Sequence, residues 1–584
     1  MKLHEGGDEH MDELLKKHMK SFPMERLKDL LGRDLVDSLI EWDAGNGPAM
    51  TKAKLVDMIL NTYGISIFKE KMFREELLRT LKKEDILDFR NDLPDIYLTC
   101  DDVEVLVEVI SSSKWRKDNK ITQKLIKHFN YSTEQLFSDN NNEVVPISKI
   151  QSFDKFYELL DYQYVIRQKA LNILMSTTRL KRFLIHMPTG TGKTKTATHI
   201  ISHYFNYCIG KKGLVIWVAH TSELLDQAYT TFSGVWKNIG NGEITTYKLW
   251  GNYDFDIPAE MNGLLVCGIQ KLQSISNNKP ELFERLVRNA RLVVYDEAHK
   301  AAASQTREVI EKFLRRTPDM DDCSLMGLTA TPGRSTEDSF DNDLLVSMFG
   351  NKIISIDTKL MNAINMSPQE AANARAEPDI IKYFQNRGVL SQIRKEQLTY
   401  PEKLSDEEIK HIKVIATNNG YDDFSKKALE TIGKNKSRNL RILQRLRELN
   451  KDKVPTIVFA CSVQHGKLLS SMLSLENIPN ALVIGDMAPM DREEAIRKFK
   501  DKNDDTNIII NYEVLTTGFD ATNIECVFIT RPTQSIVLYS QMLGRGLRGP
   551  QMGGKPECLL IDIKDNLEQY DENMAFSHFN NYWS

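Results

Sequence analysis

The chain of 584 residues contains no apolar run approaching the 18 residues of a membrane span. Its opening stretch, MKLHEGGDEHMDELL, lacks the apolar core of a signal peptide. A cytoplasmic location and no membrane partner are the expectations. Cysteine is scarce: Cys100, Cys208, Cys267, Cys323, Cys461, Cys526 and Cys558 lie far apart and never form a CxxC pair. That spacing excludes a disulfide framework and gives no zinc knuckle, and it suits a reducing compartment. Excess positive charge is also missing, since 77 Lys and Arg stand against 81 Asp and Glu for a net charge of −4. A site for a polyanion must then be local rather than a property of the whole surface.

The length suits about three to four domains, and a composition of 41% hydrophobic and 27% charged residues is that of a folded globular chain. Residues 1–148 read as a helical accessory domain, with Leu27, Leu30, Leu31, Leu35, Leu39 and Ile40, then Leu77, Leu78, Leu81 and Ile86, at helical spacing. Over a few residues, 50–60 after 27–32 resembles the two-helix SAP module; plain helical core is the other reading. In 113–129, Lys114, Arg116, Lys117, Lys120, Lys124 and Lys127 interleave with Trp115 and Phe129. Such a run either stacks and tracks a nucleic acid or is a solvated helix face. Residues 101–108 (DDVEVLVE) put acids on a strand-like run, but Ile110 stands where a PD-(D/E)xK nuclease needs lysine.

After the polar linker 138–143 the pattern changes. Short, continuously apolar runs at 183–185, 214–218, 264–269, 292–295 and 325–328 alternate with helical stretches, and a second series follows at 456–460, 481–484, 508–510, 527–529 and 559–561. Runs without polar alternation belong to parallel sheets covered on both faces. The expectation is α/β: two tandem parallel-sheet domains, 149–358 and 441–584, joined by a charged, helical connector, 359–440.

Residues 187–194, MPTGTGKT, follow the first apolar run. A buried strand breaking into a glycine-rich turn and then a helix can aim backbone N–H groups at a phosphate. Thr189, Gly190, Thr191, Gly192, Lys193 and Thr194 form the candidate cradle, with Lys193 on the β- and γ-phosphates and the Thr194 hydroxyl on Mg²⁺. The strict pattern has a further glycine where Met187 stands. A second apolar run delivers Asp296 and Glu297 at its C-terminal end. One carboxylate would hold the metal while the other polarises water, as phosphoryl transfer to water requires.

Together with YDEAH at 295–299, LTATPGR at 328–334 and QMLGRGLR at 541–548, the cradle resembles the ordered motifs of superfamily 2 helicases. The likeness is to the restriction-type (ResIII-like) and RadD-like DNA translocases, and it covers about 160–570. It implies two RecA-like domains, ATP and Mg²⁺ as cofactors, and Gln168 reading adenine. It implies nucleic-acid contacts from Thr221, Gln270, Ser462, Thr516 and Thr517, and nucleotide contacts from Gly518, Asp520 and Gln541. His299, Thr329 and Thr331 would couple hydrolysis to strand movement, and Arg545 and Arg548 would act as arginine fingers. The RadD-like C-terminal cysteine cluster is absent, so no zinc is expected. His186, His220 and His465 lack partners at metal-ligand spacing and read as loop or strand-edge residues.

The implied activity is ATP-driven translocation on, or unwinding of, single-stranded or forked DNA, in DNA repair or phage defence. Two alternatives stay open: a nucleotide-switched motor that positions a partner nuclease, and an RNA helicase.

Overall fold

The computed structural model describes residues 8–43, 50–133, 137, 145–153, 157–178, 181–301, 303–318, 320–333, 339–363, 379–400, 415–418, 421–485, 487–516, 522–533 and 535–563. The chain divides into two compact units. One comprises Met1–Asn141, Thr399–Ile409 and Lys426–Val514; the other comprises Asn142–Leu398, Lys410–Ser425 and Leu515–Ser584.

In the second unit an eight-stranded sheet is built from β1 (Ile147–Gln151), β2 (Arg182–His186), β3 (Leu214–Ala219), β4 (Glu243–Leu249), β5 (Gly263–Gly268), β6 (Ala290–Asp296), β7 (Ser324–Thr329) and β8 (Ile353–Ile354). Its order is β1-β4-β5-β3-β6-β7-β2-β8. All pairs are parallel except β1 with β4. β3, β5 and β7 are buried at every position, because helices cover both faces and leave no side for polar residues. Each such Val, Leu or Ile contributes at most about 1.5–3 kcal/mol of burial. The common polarity puts the C-terminal ends of β2, β3, β5, β6 and β7 on one edge, where open α/β sheets hold ligands.

Further along the chain come β9 (Gln392–Leu398), the antiparallel hairpin β10 (Ile415–Asn418) with β11 (Tyr421–Phe424), then β12 (Thr456–Phe459), β13 (Ala481–Val483) and β14 (Ile508–Asn511) in the first unit. β14 pairs in parallel with both β12 and β13. In the second unit β15 (Cys526–Ile529) and β9 flank β16 (Glu557–Ile563), again in parallel. The expected α/β class and all ten apolar strands are present. The connector is not purely helical, since β9, β10 and β11 fall within 359–440. β9 lies against β16 with most of its side chains outward, so its charges gave it no strand signal.

The N-terminal residues of the first unit are helical, as expected. Leu27, Leu55, Val56, Met58 and Ile59 are buried, so the SAP-like stretch serves as core. The helix Lys52–Tyr63 packs on the helix Val463–Leu475, and the turn Gly64–Lys69 after it packs on the helix Pro489–Lys500 of the same unit. Asn61 donates to Ser470 and Asn480, while Asp491 accepts from the Ile65 N–H and the Ser66 hydroxyl at 3.1 Å each. Gly64, at φ 52°, allows this approach: a Cβ there would lie 2.2 Å from the Asp491 Cγ.

Two local expectations are corrected. Residues 103–112 form the helix Val103–Ser112, not a strand-like run, with Asp102 accepting from the Glu104 and Val105 N–H groups as its N-cap. In the basic run, Trp115 stacks on Phe68 at 5.9 Å, the Arg74 guanidinium covers its ring at 5.3 Å, and Phe129 is fully buried. Lys124 is paired with Asp88 and Asp92. The aromatics are core, and the run offers no stacking platform.

Candidate active site

The phosphate loop leaves β2 at Met187, which is fully buried and whose N–H donates to the Thr329 carbonyl at 3.1 Å. The strand ladder thus extends one residue further, and a side chain fits where the strict pattern has glycine. Gly190 (φ 87°) and Gly192 (φ 82°) then turn in the left-handed region. Gly192 is the N-cap of the helix Lys193–His203, so the loop ends on a helix N-terminus, a natural anion site. Tyr162 and Gln163, at the start of the helix Asp161–Met175, both donate to the Thr191 carbonyl, at 2.8 and 3.0 Å.

Gln168 does not join this group. One and a half turns further along the helix, its amide donates to the Tyr164 hydroxyl at 2.9 Å. Gln163 is the glutamine that meets the cradle, and its Nε2 lies 2.3 Å from where a Gly192 Cβ would be. The signal available in the sequence was the tyrosine–glutamine pair at 162–163, one residue after the acidic first position of a helix.

β6 delivers the carboxylates. Asp296 is 2% exposed, and burial pushes its carboxyl up to about 6. Glu297 adopts a left-handed backbone (φ 52°, ψ 56°), a costly conformation for a residue with a Cβ, and its N–H donates to Asp296 Oδ1. Burial also pushes Glu297 upward, but Lys193 leads the neighbouring charges that outweigh it and the net direction is down. Lys193 Nζ lies 3.4 Å from Glu297 Oε1. His299 Nδ1 sits 3.4 Å from Glu297 Oε2 and 3.2 Å from Thr329 Oγ1. Burial pushes this imidazole down to about 3, so it is neutral at pH 7. Thr329 Oγ1 in turn accepts from the Thr331 N–H, which joins the ends of β6 and β7 in one hydrogen-bonded group.

The same sheet edge carries a second chain of contacts. The Tyr295 hydroxyl and His220 Nε2 are 2.7 Å apart, and Gln270 donates to the His220 carbonyl at 3.2 Å. Thr221 caps the helix Ser222–Ile239. Thr221 and Gln270 are therefore brought together, one residue from a group that touches β6.

Residues 541–549 also belong to this unit. Gly544 lies so close to the phosphate loop that a Cβ there would be 2.4 Å from Thr189 Cγ2, and a Cβ on Gly190 would be 3.8 Å from Arg548 Cγ. Burial lowers the Arg545 guanidinium to about 10, against the pull of Glu297, and lowers that of Arg548 as well. Gln541 is buried, and its carbonyl accepts from Arg545 Nε at 3.3 Å. Lys193, Glu297, Arg545 and the loop glycines thus converge.

Ser462 lies in the other unit, where its hydroxyl caps the helix Val463–Leu475. His465, expected at a loop or strand edge, is inside that helix: its ring accepts from the Cys461 N–H and meets the Asn439 side chain, both at 3.0 Å. Thr517, Gly518, Asp520 and Arg334 lie outside the described residues, and only the backbone of Thr516 is described.

The donor set fits a nucleotide and its metal. Two left-handed glycines and a helix N-terminus suit phosphates, and the buried Asp296 carboxylate suits a divalent cation. Among the described residues, no group of three or more His, Cys, Asp or Glu could hold a separate metal ion, and no helix is long and apolar enough to cross a membrane.

Comparison with known proteins agrees with this architecture. Residues 156–334 match the family model described as type III restriction enzyme, res subunit, and residues 438–549 match the helicase conserved C-terminal domain. A Saccharomyces cerevisiae protein named for ATP-dependent helicase activity, IRC3, is 26% identical over 415 residues, 69% of this chain and 51% of its own length. The type I restriction enzyme EcoAI endonuclease subunit of Escherichia coli is 23% identical over 402 residues, 67% of this chain and 44% of that protein. The ATP-dependent DNA helicase MPH1 of S. cerevisiae is 26% identical over 267 residues, 43% of this chain and 21% of that protein. The chain spans about half the length of the first curated relatives it matches. With the ordered motifs on the sheet edge, the chain carries in tandem a domain similar to the type III restriction enzyme res subunit and a domain similar to the helicase conserved C-terminal domain.

Proposed function

We propose that this protein is an ATP- and Mg²⁺-dependent DNA translocase or helicase. The observation that carries the reading is the convergence of Lys193, Glu297 and Arg545 around a phosphate loop whose Thr189 touches Gly544. A site with cations on both sides of the phosphate position and a carboxylate between them is suited to phosphoryl transfer to water. Lys193 and the helix N-terminus bind the phosphates. Glu297, held ionised by Lys193, orients the attacking water through its carboxylate oxygens. Arg545 and Arg548 stabilise charge on the transferring group from a dry environment, where a guanidinium acts strongly and costs little reorganisation. Thr194 and Asp296 would hold Mg²⁺, which supplies charge neutralisation at the phosphate oxygens.

Coupling to a strand follows from the sheet edge. Thr329 and Thr331 share a hydrogen-bonded group with His299 and Glu297, and Tyr295, one residue before Asp296, reaches His220 beside Thr221 and Gln270. A change at the carboxylates is thus passed to the polar groups proposed to hold the nucleic-acid backbone. DNA is the preferred track because one relative is named a DNA helicase and another a restriction endonuclease subunit. The second of these also favours an alternative in which the motor serves a nuclease partner. A role in DNA repair or phage defence and a cytoplasmic setting are part of the same reading.

The test is steady-state ATP hydrolysis with no polymer, single-stranded DNA, duplex DNA, forked DNA and RNA, with Lys193→Ala as control. Stimulation by a DNA form, lost in the variant, supports the reading and names the track. Stimulation by RNA alone, or by no polymer, overturns it.

A further inference from the structure

Between the phosphate loop and the arginine loop runs a segment, 379–391, that no motif covers. It starts as the helix Ile380–Asn386, capped by Asp379. Phe384 is fully buried and meets the Tyr162 ring edge to face at 4.9 Å. Arg387, just past the helix, donates to the Tyr383 hydroxyl through one nitrogen and to Asp161 Oδ2 at 2.6 Å through another. Gly388, at φ 66°, then reverses the chain so that residues 388–391 run beside the arginine loop.

The two sides of this segment are held differently. On the arginine-loop side, Gly549 N–H donates to the Val389 carbonyl, Gln551 N–H to that of Gly388, and Ser391 N–H to that of Leu547, at 2.9–3.0 Å. Ser391 is fully buried, with its hydroxyl 2.8 Å from the Arg548 carbonyl and 2.7 Å from that of Lys555. Chain continuity into β9 then adds seven residues of parallel pairing with β16. On the phosphate-loop side the polar connection is the Arg387–Asp161 pair, whose side chains are each about a third exposed, at 32% and 29%. Asp161 immediately precedes Tyr162 and Gln163, the two residues that grip the Thr191 carbonyl.

We infer that Arg387 and Asp161 form a latch that sets the arginine loop against the phosphate loop, making both of them positioning residues for phosphoryl transfer. The segment is a fixed part of the arginine-loop side, through buried backbone bonds. It is attached to the other side by the buried Phe384–Tyr162 contact and by a solvent-accessible ion pair, the polar one of the two, which salt screens and which opens at least cost. Opening the pair lets Arg545 and Arg548 withdraw without disturbing Lys193 or the carboxylates. The inference rests on the proposal that these arginines act on the nucleotide.

The test is the kinetics of ATP hydrolysis by the full chain carrying Arg387→Ala, Asp161→Arg, Arg387→Asp or the exchanged pair Asp161→Arg with Arg387→Asp, and by an Arg545→Ala protein. The single latch variants are expected to lower kcat about tenfold while KM for MgATP moves less than about threefold. The exchanged pair should recover most of that loss. The deficit of Arg387→Ala relative to wild type should narrow as salt is raised, because salt weakens the pair in the wild type. A purely structural role would lower the melting temperature and leave kcat of the folded protein unchanged. Should Arg387→Ala fail to fold, Arg387→Lys, which keeps one cation but loses the fork, replaces it in the comparison. Wild-type kcat in the latch variants alongside an inactive Arg545→Ala overturns the latch and leaves the arginine assignment standing, and so does failure of the exchange to rescue. An Arg545→Ala protein as active as wild type overturns the assignment on which the latch depends.

Discussion

Two sets of basic residues were expected to meet phosphates, and the fold treats them in opposite ways. Lys193 and Arg545 are half-buried, with Glu297 as an electrostatic partner to both. In the N-terminal run, Lys124 spends its charge on Asp88 and Asp92, and Trp115 is roofed by Arg74 and floored by Phe68. The difference is in what surrounds the charge. Glycines at 190, 192 and 544 let the side chains of Leu390, Gln163 and Thr189 close on these loops. A helical run of lysines and aromatics does not specify whether acids face it.

The contrast is sharpest for single charges. Lys193→Ala should lower ATP hydrolysis more than about a hundredfold, whereas Lys124→Ala should leave kcat and its polymer dependence unchanged; a shared effect on both would remove the distinction. Next in size, Gly544→Ala places a methyl 2.4 Å from Thr189 Cγ2 and should reduce kcat about ten- to a hundredfold by displacing the arginine loop. A near-normal rate would show that the close approach is not needed for catalysis.

Acid should also distinguish the sheet edge. Burial holds His220 down to about 4, well below its ordinary value. The unfolded chain therefore binds the proton first, and the stability this imidazole allows at pH 7 is lost as pH falls below about 6.5 toward 4. Between pH 7 and pH 5 that amounts to about 2 kcal/mol. Urea unfolding at the two pH values should show this much less acid sensitivity in His220→Gln; an unchanged difference would count against a buried neutral ring. The smallest effect is expected from Lys114, Lys117 and Lys120 changed together to glutamate. DNA affinity should move less than about threefold at physiological salt, with the salt slope unaltered. A tenfold loss would return the run to the nucleic-acid track.

The strands that could be read from sequence were those buried on both faces, such as β3, β5 and β7, since continuous apolar runs are what a covered parallel sheet selects. Among those that escaped, β1, β4 and β9 lie toward sheet edges and mix outward polar residues into the pattern. The motifs were legible because phosphate chemistry fixes residue types at fixed spacing. Gln163 was missed because spacing from the loop says nothing about which turn of a helix faces it, and Gln168, five residues on, bonds to Tyr164 instead of the Thr191 carbonyl. Arg387 and Ser391 carried no motif at all, since their role comes from a contact made across more than 150 residues of chain.

The central claim is that the arginine loop completes the site that the phosphate loop begins. Single-turnover ATP hydrolysis by Arg545→Ala, with nucleotide affinity measured in parallel, tests it most directly. A fall in the chemical rate of about a thousandfold or more, with MgATP affinity within a few-fold of wild type, is the expected result. A rate within tenfold of wild type would contradict the claim and leave Lys193, Asp296 and Glu297 as a site complete without Arg545.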